Sequence, residues 1–168
     1  MTTAEVKEFV AAVTPYSADE ISEEALEVLL KEVVKTYNQY RPKVERLVLE
    51  ASSSTYTFSD PPEAVFRVLA DGSPAVGWRY LPPNLYLPSP GRYVVFLGRD
   101  WTPEEISLKE PYFSDLLRAG ALWLLSADRR SVRMDGLPFD LKGDQFYSDG
   151  LQEWREALER LAANPSVV

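Results

Sequence analysis

Apolar residues in this chain recur at helical spacing up to Tyr37, alternate between residues 44 and 97, and return to helical spacing after Pro111. On a helix a side chain meets neighbours three and four residues away, whereas on a strand it shares a face with every second residue. The change of period therefore predicts a β-rich segment between two helical ones. The expected class is α+β: a bundle of about four helices, with a small, mostly antiparallel sheet inserted between helix 2 and helix 3. The helical parts are expected at 2–41 and 103–163 and the insertion at 43–98. Neither a repeat nor a linker divides the sequence, so 1–168 reads as one domain. A chain of 168 residues buries roughly 70% of its unfolded surface and needs no disulfide or metal staple.

The local signals agree with this outline. Thr2 followed by Glu5 is a capping-box pattern, Val6, Phe9, Val10 and Val13 follow it, and Pro15 ends the helix. Ser17 with Glu20, or alternatively Ser22, starts the second helix. Its broad stripe is Leu26, Leu29, Leu30, Val33, Val34 and Tyr37, with Glu23, Glu24, Glu27, Lys31, Glu32 and Lys35 opposite. Pro42 pushes Arg41 out of helical geometry. Strands are expected at 44–50, with a buried centre, and at 56–58, 64–69 and 92–97; Asp71-Gly72 closes the third. Pro74, Pro82, Pro83, Pro88 and Pro90 make 72–91 read as a rigid loop with brief extended pieces. Thr102-Pro103-Glu104-Glu105 marks a short turn. Tyr112, Phe113, Leu116, Leu117, Gly120, Trp123 and Leu124 then form one helical face. Tyr147, Leu151, Trp154, Leu158 and Leu161 form the seam of a last helix, starting near Asp144.

Two zeros restrict the chemistry: the chain has no histidine and no cysteine. That removes Cys/His zinc sites, thiol nucleophiles, Ser-His-Asp triads and imidazole acid/base catalysis. Carboxylates remain, and Asp135, Asp140, Asp144 and Asp149 lie close in sequence beside Gly136, Gly143 and Gly150. A carboxylate pair could hydrolyse glycosides, and oxygen ligands could hold calcium, although the spacing is not that of an EF-hand. The plainer reading is a turn at Asp135-Gly136 and a helix cap at Asp144. The segment 72–77 lacks the Lys-Ser/Thr of a phosphate loop, and Ser52, Ser53 and Ser54 form no nucleophile elbow. No cofactor or metal is expected, and no enzymatic activity.

Lys and Arg total 18 against 26 Asp and Glu, a net charge of −8. Such a balance disfavours nucleic-acid binding and docking on anionic lipid. No apolar run approaches the roughly 18 residues that span a bilayer. The charged start, with Glu5, Lys7 and Glu8, is unlike a signal peptide, and absent cysteine fits a reducing compartment. Abundant proline with few amides resembles a thermophilic composition. Trp78, Tyr80, Tyr86, Tyr93 and Trp101 gather in or beside the proline-rich segment. They suit either an oligomer or partner interface, or the closing of one face of a small sheet.

The order of elements resembles the head-to-tail adaptor, or connector, proteins of tailed bacteriophages. The resemblance rests on the charged helix running into Tyr37-Asn38-Gln39-Tyr40-Arg41-Pro42, then Tyr56-Thr57-Phe58 to Pro61-Pro62, then Val65-Phe66-Arg67-Val68. Trp101-Thr102-Pro103-Glu104-Glu105, the apolar helix over 113–125 and the acidic helix around Trp154 complete it. It spans roughly residues 20–162. It implies a non-enzymatic virion component assembled in the host cytoplasm: a homo-oligomeric ring, usually of twelve copies, docked under the portal protein. That ring would meet tail or neck proteins and extend the DNA channel, with DNA passing and not bound specifically. It identifies no channel-lining acidic residue. The proline-laden segment 72–91 departs from the family pattern. The alternative expectation is a carboxylate-based enzyme, or a carbohydrate- or peptide-binding module using the aromatic, proline-rich segment.

Overall fold

The structure is a computed structural model. It describes the backbone of residues 1–133 and 141–164, with side chains described outside 127–133 and 141–147. Helix α1 (Thr3–Val13), a 3-10 turn (Ala18–Glu20) and helix α2 (Glu23–Tyr40) come first. Seven strands follow: β1 (Lys43–Ala51), β2 (Thr55–Thr57), β3 (Ala64–Ala70), β4 (Ser73–Pro74), β5 (Arg79–Leu81), β6 (Asn84–Tyr86) and β7 (Gly91–Arg99). Helices α3 (Pro111–Arg133) and α4 (Leu141–Ala163) close the order. The class is α+β, with the β-rich segment between α2 and α3 as the change of period requires.

Where the sequence reads as one domain, contacts divide the chain into two compact units. Among the described residues, 1–41 and 101–164 form a helical unit, and 42–100 a β unit. Each has its own cluster of buried side chains.

The helical unit follows from its caps and stripes. The Thr2 amide donates to Glu5 Oε2 at 2.6 Å, and the Glu5 amide donates back to Thr2 Oγ1 at 3.3 Å. The Thr2 amide bond, and then the Thr2 side chain, hold the Glu5 carboxyl below its ordinary pKa. Both candidate starts of the second helix are used. The Ser17 amide donates to Glu20 Oε2 (2.8 Å) and closes the 3-10 turn, while Ser22 Oγ accepts from the Ala25 amide (3.1 Å) and caps α2. Leu26, Leu29, Val33, Val34 and Tyr37 on α2 are buried with Phe113, Leu116, Leu117 and Ala121 on α3. The rings of Tyr37 and Phe113 meet edge to face at 5.4 Å. On α4, Trp154 and Leu161 are buried as the seam predicts, while Leu151 and Leu158 are half-buried. Tyr147 of that seam lies outside the described side chains. Gly120 and Gly150 lie where an added Cβ would crowd a neighbouring helix: Trp154, Val33 and Leu29 at Gly120, and the backbone of Leu122 and Trp123 at Gly150. Tyr16 and Ser126, both buried, share a hydroxyl–hydroxyl bond of 2.7 Å.

In the β unit, a four-stranded antiparallel sheet has the order β1-β7-β3-β4, and a three-stranded one the order β2-β6-β5. The segment 72–91, expected as a rigid loop with brief extended pieces, is corrected in part: its extended pieces are paired strands, β4, β5 and β6. These strands have two or three residues each, too few to display alternation, and proline is tolerated there because they are short or at an edge. Asp71 (φ 49°) and Gly72 (φ 79°) form the two-residue connection between β3 and β4. Positive φ at both positions is the type I′ geometry that Asp-Gly favours. Leu49, Ala51, Phe58, Val68, Leu85, Leu87, Tyr93, Val95 and Leu97 make the core of this unit.

Candidate functional site

The five aromatic residues singled out from the sequence do not form one group. Tyr93 is a core residue, 3% exposed, and its hydroxyl donates to the Ser89 carbonyl at 2.8 Å. Tyr80 is half-buried; its hydroxyl donates to the Pro62 carbonyl at 2.6 Å, and its ring meets Phe58 edge-on at 5.9 Å. Burial, then the Glu63 carboxylate, raises the Tyr80 pKa. Trp78 packs half-buried on the same core. Tyr86 is half-buried, with the Arg79 guanidinium 5.1 Å from its ring centroid.

Trp101 belongs to the helical unit. Its amide donates to Asn38 Oδ1 (2.8 Å), its carbonyl accepts from Asn38 Nδ2 (3.1 Å), and its indole N–H donates to the Arg41 carbonyl (3.0 Å). These three bonds clasp the returning chain to the end of α2. Arg41 donates to the Asn164 carbonyl at 2.6 Å and lies 4.6 Å from the Tyr112 ring centroid. Tyr37 beside it is pushed up to about 12 by burial and by the Glu110 carboxylate.

Asp135 and Asp140 lie outside the described residues, as does the side chain of Asp144; Asp149 is exposed. Among the described residues, no group of three or more acidic side chains is arranged to hold a metal, and no helix is long and apolar enough to cross a membrane. An open recess of about 300 Å³ is lined by Met1, Glu5, Glu104, Ile106, Leu108 and Lys109. The Met1 ammonium donates to the Glu104 carbonyl there at 3.0 Å.

The feature that sequence reasoning missed is the outer face of the four-stranded sheet. Leu47, Leu49 and Ala51 of β1 face the core, so Val44, Arg46, Val48 and Glu50 face the other way. Antiparallel register places them opposite Gly98, Phe96, Val94 and Arg92 of β7. Val44, Val48 and Phe66 are 36%, 44% and 38% exposed on this face. Phe66 sits over Gly98, where a Cβ would come 2.6 Å from its ring. The run Val44, Leu47, Val48, Leu49 carries apolar residues of both parities, a pattern that predicts a strand buried at its centre. The structure corrects this: the odd positions are half-buried or, at Leu49 and Ala51, buried, and the even ones are exposed. Val76 and Leu81, 84% and 50% exposed, add apolar surface at the turns of the same unit. The outer edge of β1 is open as well, since among the described residues β1 pairs with β7 alone.

Comparison with protein-family models gives no matching family, and comparison with curated proteins gives no matching relative.

Proposed function

We propose that this chain is a structural subunit of a tailed-phage head-to-tail connector: a ring, with twelve copies as the expected number, that docks under the portal and continues the DNA channel toward the tail. The observation that carries the reading is the apolar surface left open on the β unit, with Val44, Val48 and Phe66 on one sheet face and Val76 and Leu81 at the turns. Open apolar surface of this kind is removed from water when subunits associate. The net charge of −8 supports the same reading, because a wall of like charge lets DNA slide past without binding. In this role the aromatic residues of the β unit stiffen the surface and leave the contacts to its neighbours. The localisation that follows is the virion, and the partners are other copies, the portal protein and tail or neck proteins.

Mass photometry of the full chain, alone and mixed with purified portal rings, tests this. The expected result is a ring-sized assembly, alone or on the portal, with no retention of duplex DNA in a filter assay. A monomer that ignores the portal, or a chain that binds DNA tightly at physiological salt, would refute it.

A further inference from the structure

We propose that the open edge of β1 pairs antiparallel with β1 of a second copy, in one register that places Arg46 opposite the partner's Glu50 and Val48 on the two-fold axis. The strand is nine residues long and contains no proline. Its one partner strand among the described residues, β7, matches it from end to end, Lys43 to Arg99 and Ala51 to Gly91, with no shift of register. A strand of that length with one edge unpaired leaves a row of N–H and C=O groups available for another strand.

The charges on β1 select both the occupant and the register. In an antiparallel self-pair, residues whose numbers have a constant sum stand opposite each other, and the sum must be even to keep each side chain on its own face. Aligning Val48 with its own copy sets Arg46 against Glu50 twice, once on each side of the axis, and Leu47 against Leu49 on the core face. Moving the axis to Arg46 or to Glu50 puts like charges in contact. Moving it to Leu47 or Leu49 leaves both charges facing Val48, Val44 or Ser52. Directly opposed opposite charges stabilise a strand pair and like charges destabilise it.

The surroundings favour the same arrangement. Arg46 is exposed and has no ion-pair partner among the described residues. Glu50 already has Arg92 at 3.5 Å from its β7 side, so the partner's Arg46 would complete a cation on each side of it. Glu45, by contrast, is held within the chain by Lys43 at 3.4 Å and Arg99 at 3.1 Å. It stays with its own unit. Val48, open in the single chain, would contact its own copy at the axis. A two-fold pair closes at two copies. It is a form distinct from a ring and needs no portal.

Sedimentation equilibrium on the full chain, with Arg46→Glu, Glu50→Arg and the double exchange, tests the pairing. The expected result is a dimer that each single reversal weakens by about ten-fold, through two cross-strand pairs turned from attraction to repulsion. The double exchange should restore the dimer, which separates a charge effect from misfolding; far-UV circular dichroism of each variant checks the fold directly. A strict monomer at the highest soluble concentration would overturn the proposal. So would a dimer, or a larger ring, indifferent to both reversals. The connector reading fails separately: a charge-sensitive dimer that never engages a portal supports the strand pair and counts against the connector.

Discussion

Replacing Gly150 by alanine sets helix propensity against packing, and the structure decides the sign. Within a helix, Gly→Ala normally stabilises by about 1 kcal/mol, through reduced backbone freedom in the unfolded chain. Here a Cβ on residue 150 would stand 2.5 Å from the Trp123 amide nitrogen, 2.7 Å from the Leu122 carbonyl carbon and 2.9 Å from Trp123 Cα. All three are backbone atoms of α3, so no rotamer change relieves the clash. Ordinary contact requires α3 and α4 to move apart locally by about 1 Å, which loosens the packing of Trp123 on Trp154, now 5.6 Å between ring centroids. Overpacking costs about 1–3 kcal/mol when side chains can adjust, and a backbone clash belongs at the upper end. After the propensity gain, the net expectation is a loss of about 2 kcal/mol, or about 4–8 °C in Tm for a chain of this size. Urea unfolding followed at 222 nm, where the helices dominate the signal, measures it. Gly120→Ala is the comparison: its Cβ would meet the ends of side chains, Trp154 at 2.9 Å, Val33 at 3.0 Å and Leu29 at 3.3 Å. These can yield, so the loss there should be smaller. A Gly150→Ala variant as stable as the parent, or less damaged than Gly120→Ala, would refute the reasoning.

Three further outcomes follow from the same geometry. Asn38→Ala removes both side-chain bonds to the Trp101 backbone, at 2.8 and 3.1 Å. It should cost about 1–3 kcal/mol in urea unfolding, because a part-buried N–H and C=O lose their partners. Gly72→Ala meets no neighbour but must hold φ at +79°; the strain alone should cost about 1 kcal/mol, and thermal unfolding of the variant would read it. Tyr37, raised from 10 to about 12, keeps its proton to higher pH in the folded chain than in the unfolded one. Its contribution is therefore complete below pH 10 and lost as pH rises toward 12. The urea midpoint should fall between pH 10 and 12, and less so in Tyr37→Phe; identical pH profiles for the two proteins would contradict the assignment.

The helices and their limits were legible because the interactions that set them are local. Thr2 with Glu5, Ser17 with Glu20, and Ser22 with Ala25 act across three residues, within the span a reader of sequence can see. Asp71-Gly72 was legible for the same reason, its positive φ values belonging to those residues themselves. Two points in the caps were open until the fold was known: whether Ser17 or Ser22 starts α2, and that each closes its own element. The aromatic group was only partly legible. Composition locates Trp78, Tyr80, Tyr86 and Tyr93 beside one another, but Trp101 is drawn to Asn38, 63 residues away in sequence, and no local pattern announces that bond.

The amino-acid sequence by itself thus determined the α+β class, the position of the β-rich segment between α2 and α3, and the acidic, histidine- and cysteine-free chemistry. Tertiary structure decided what the strands do with their faces and edges. Within 72–91, β4 forms by a local hairpin with β3, whereas β5 and β6 pair with each other and β6 also finds Thr55–Thr57 across a long stretch of chain. Val44 and Val48 look like core residues in the sequence, and are open surface because that side of β1 is left exposed among the described residues. Alternation states that a strand has two faces. Which face meets water depends on what packs against it, and that is a property of the assembled fold.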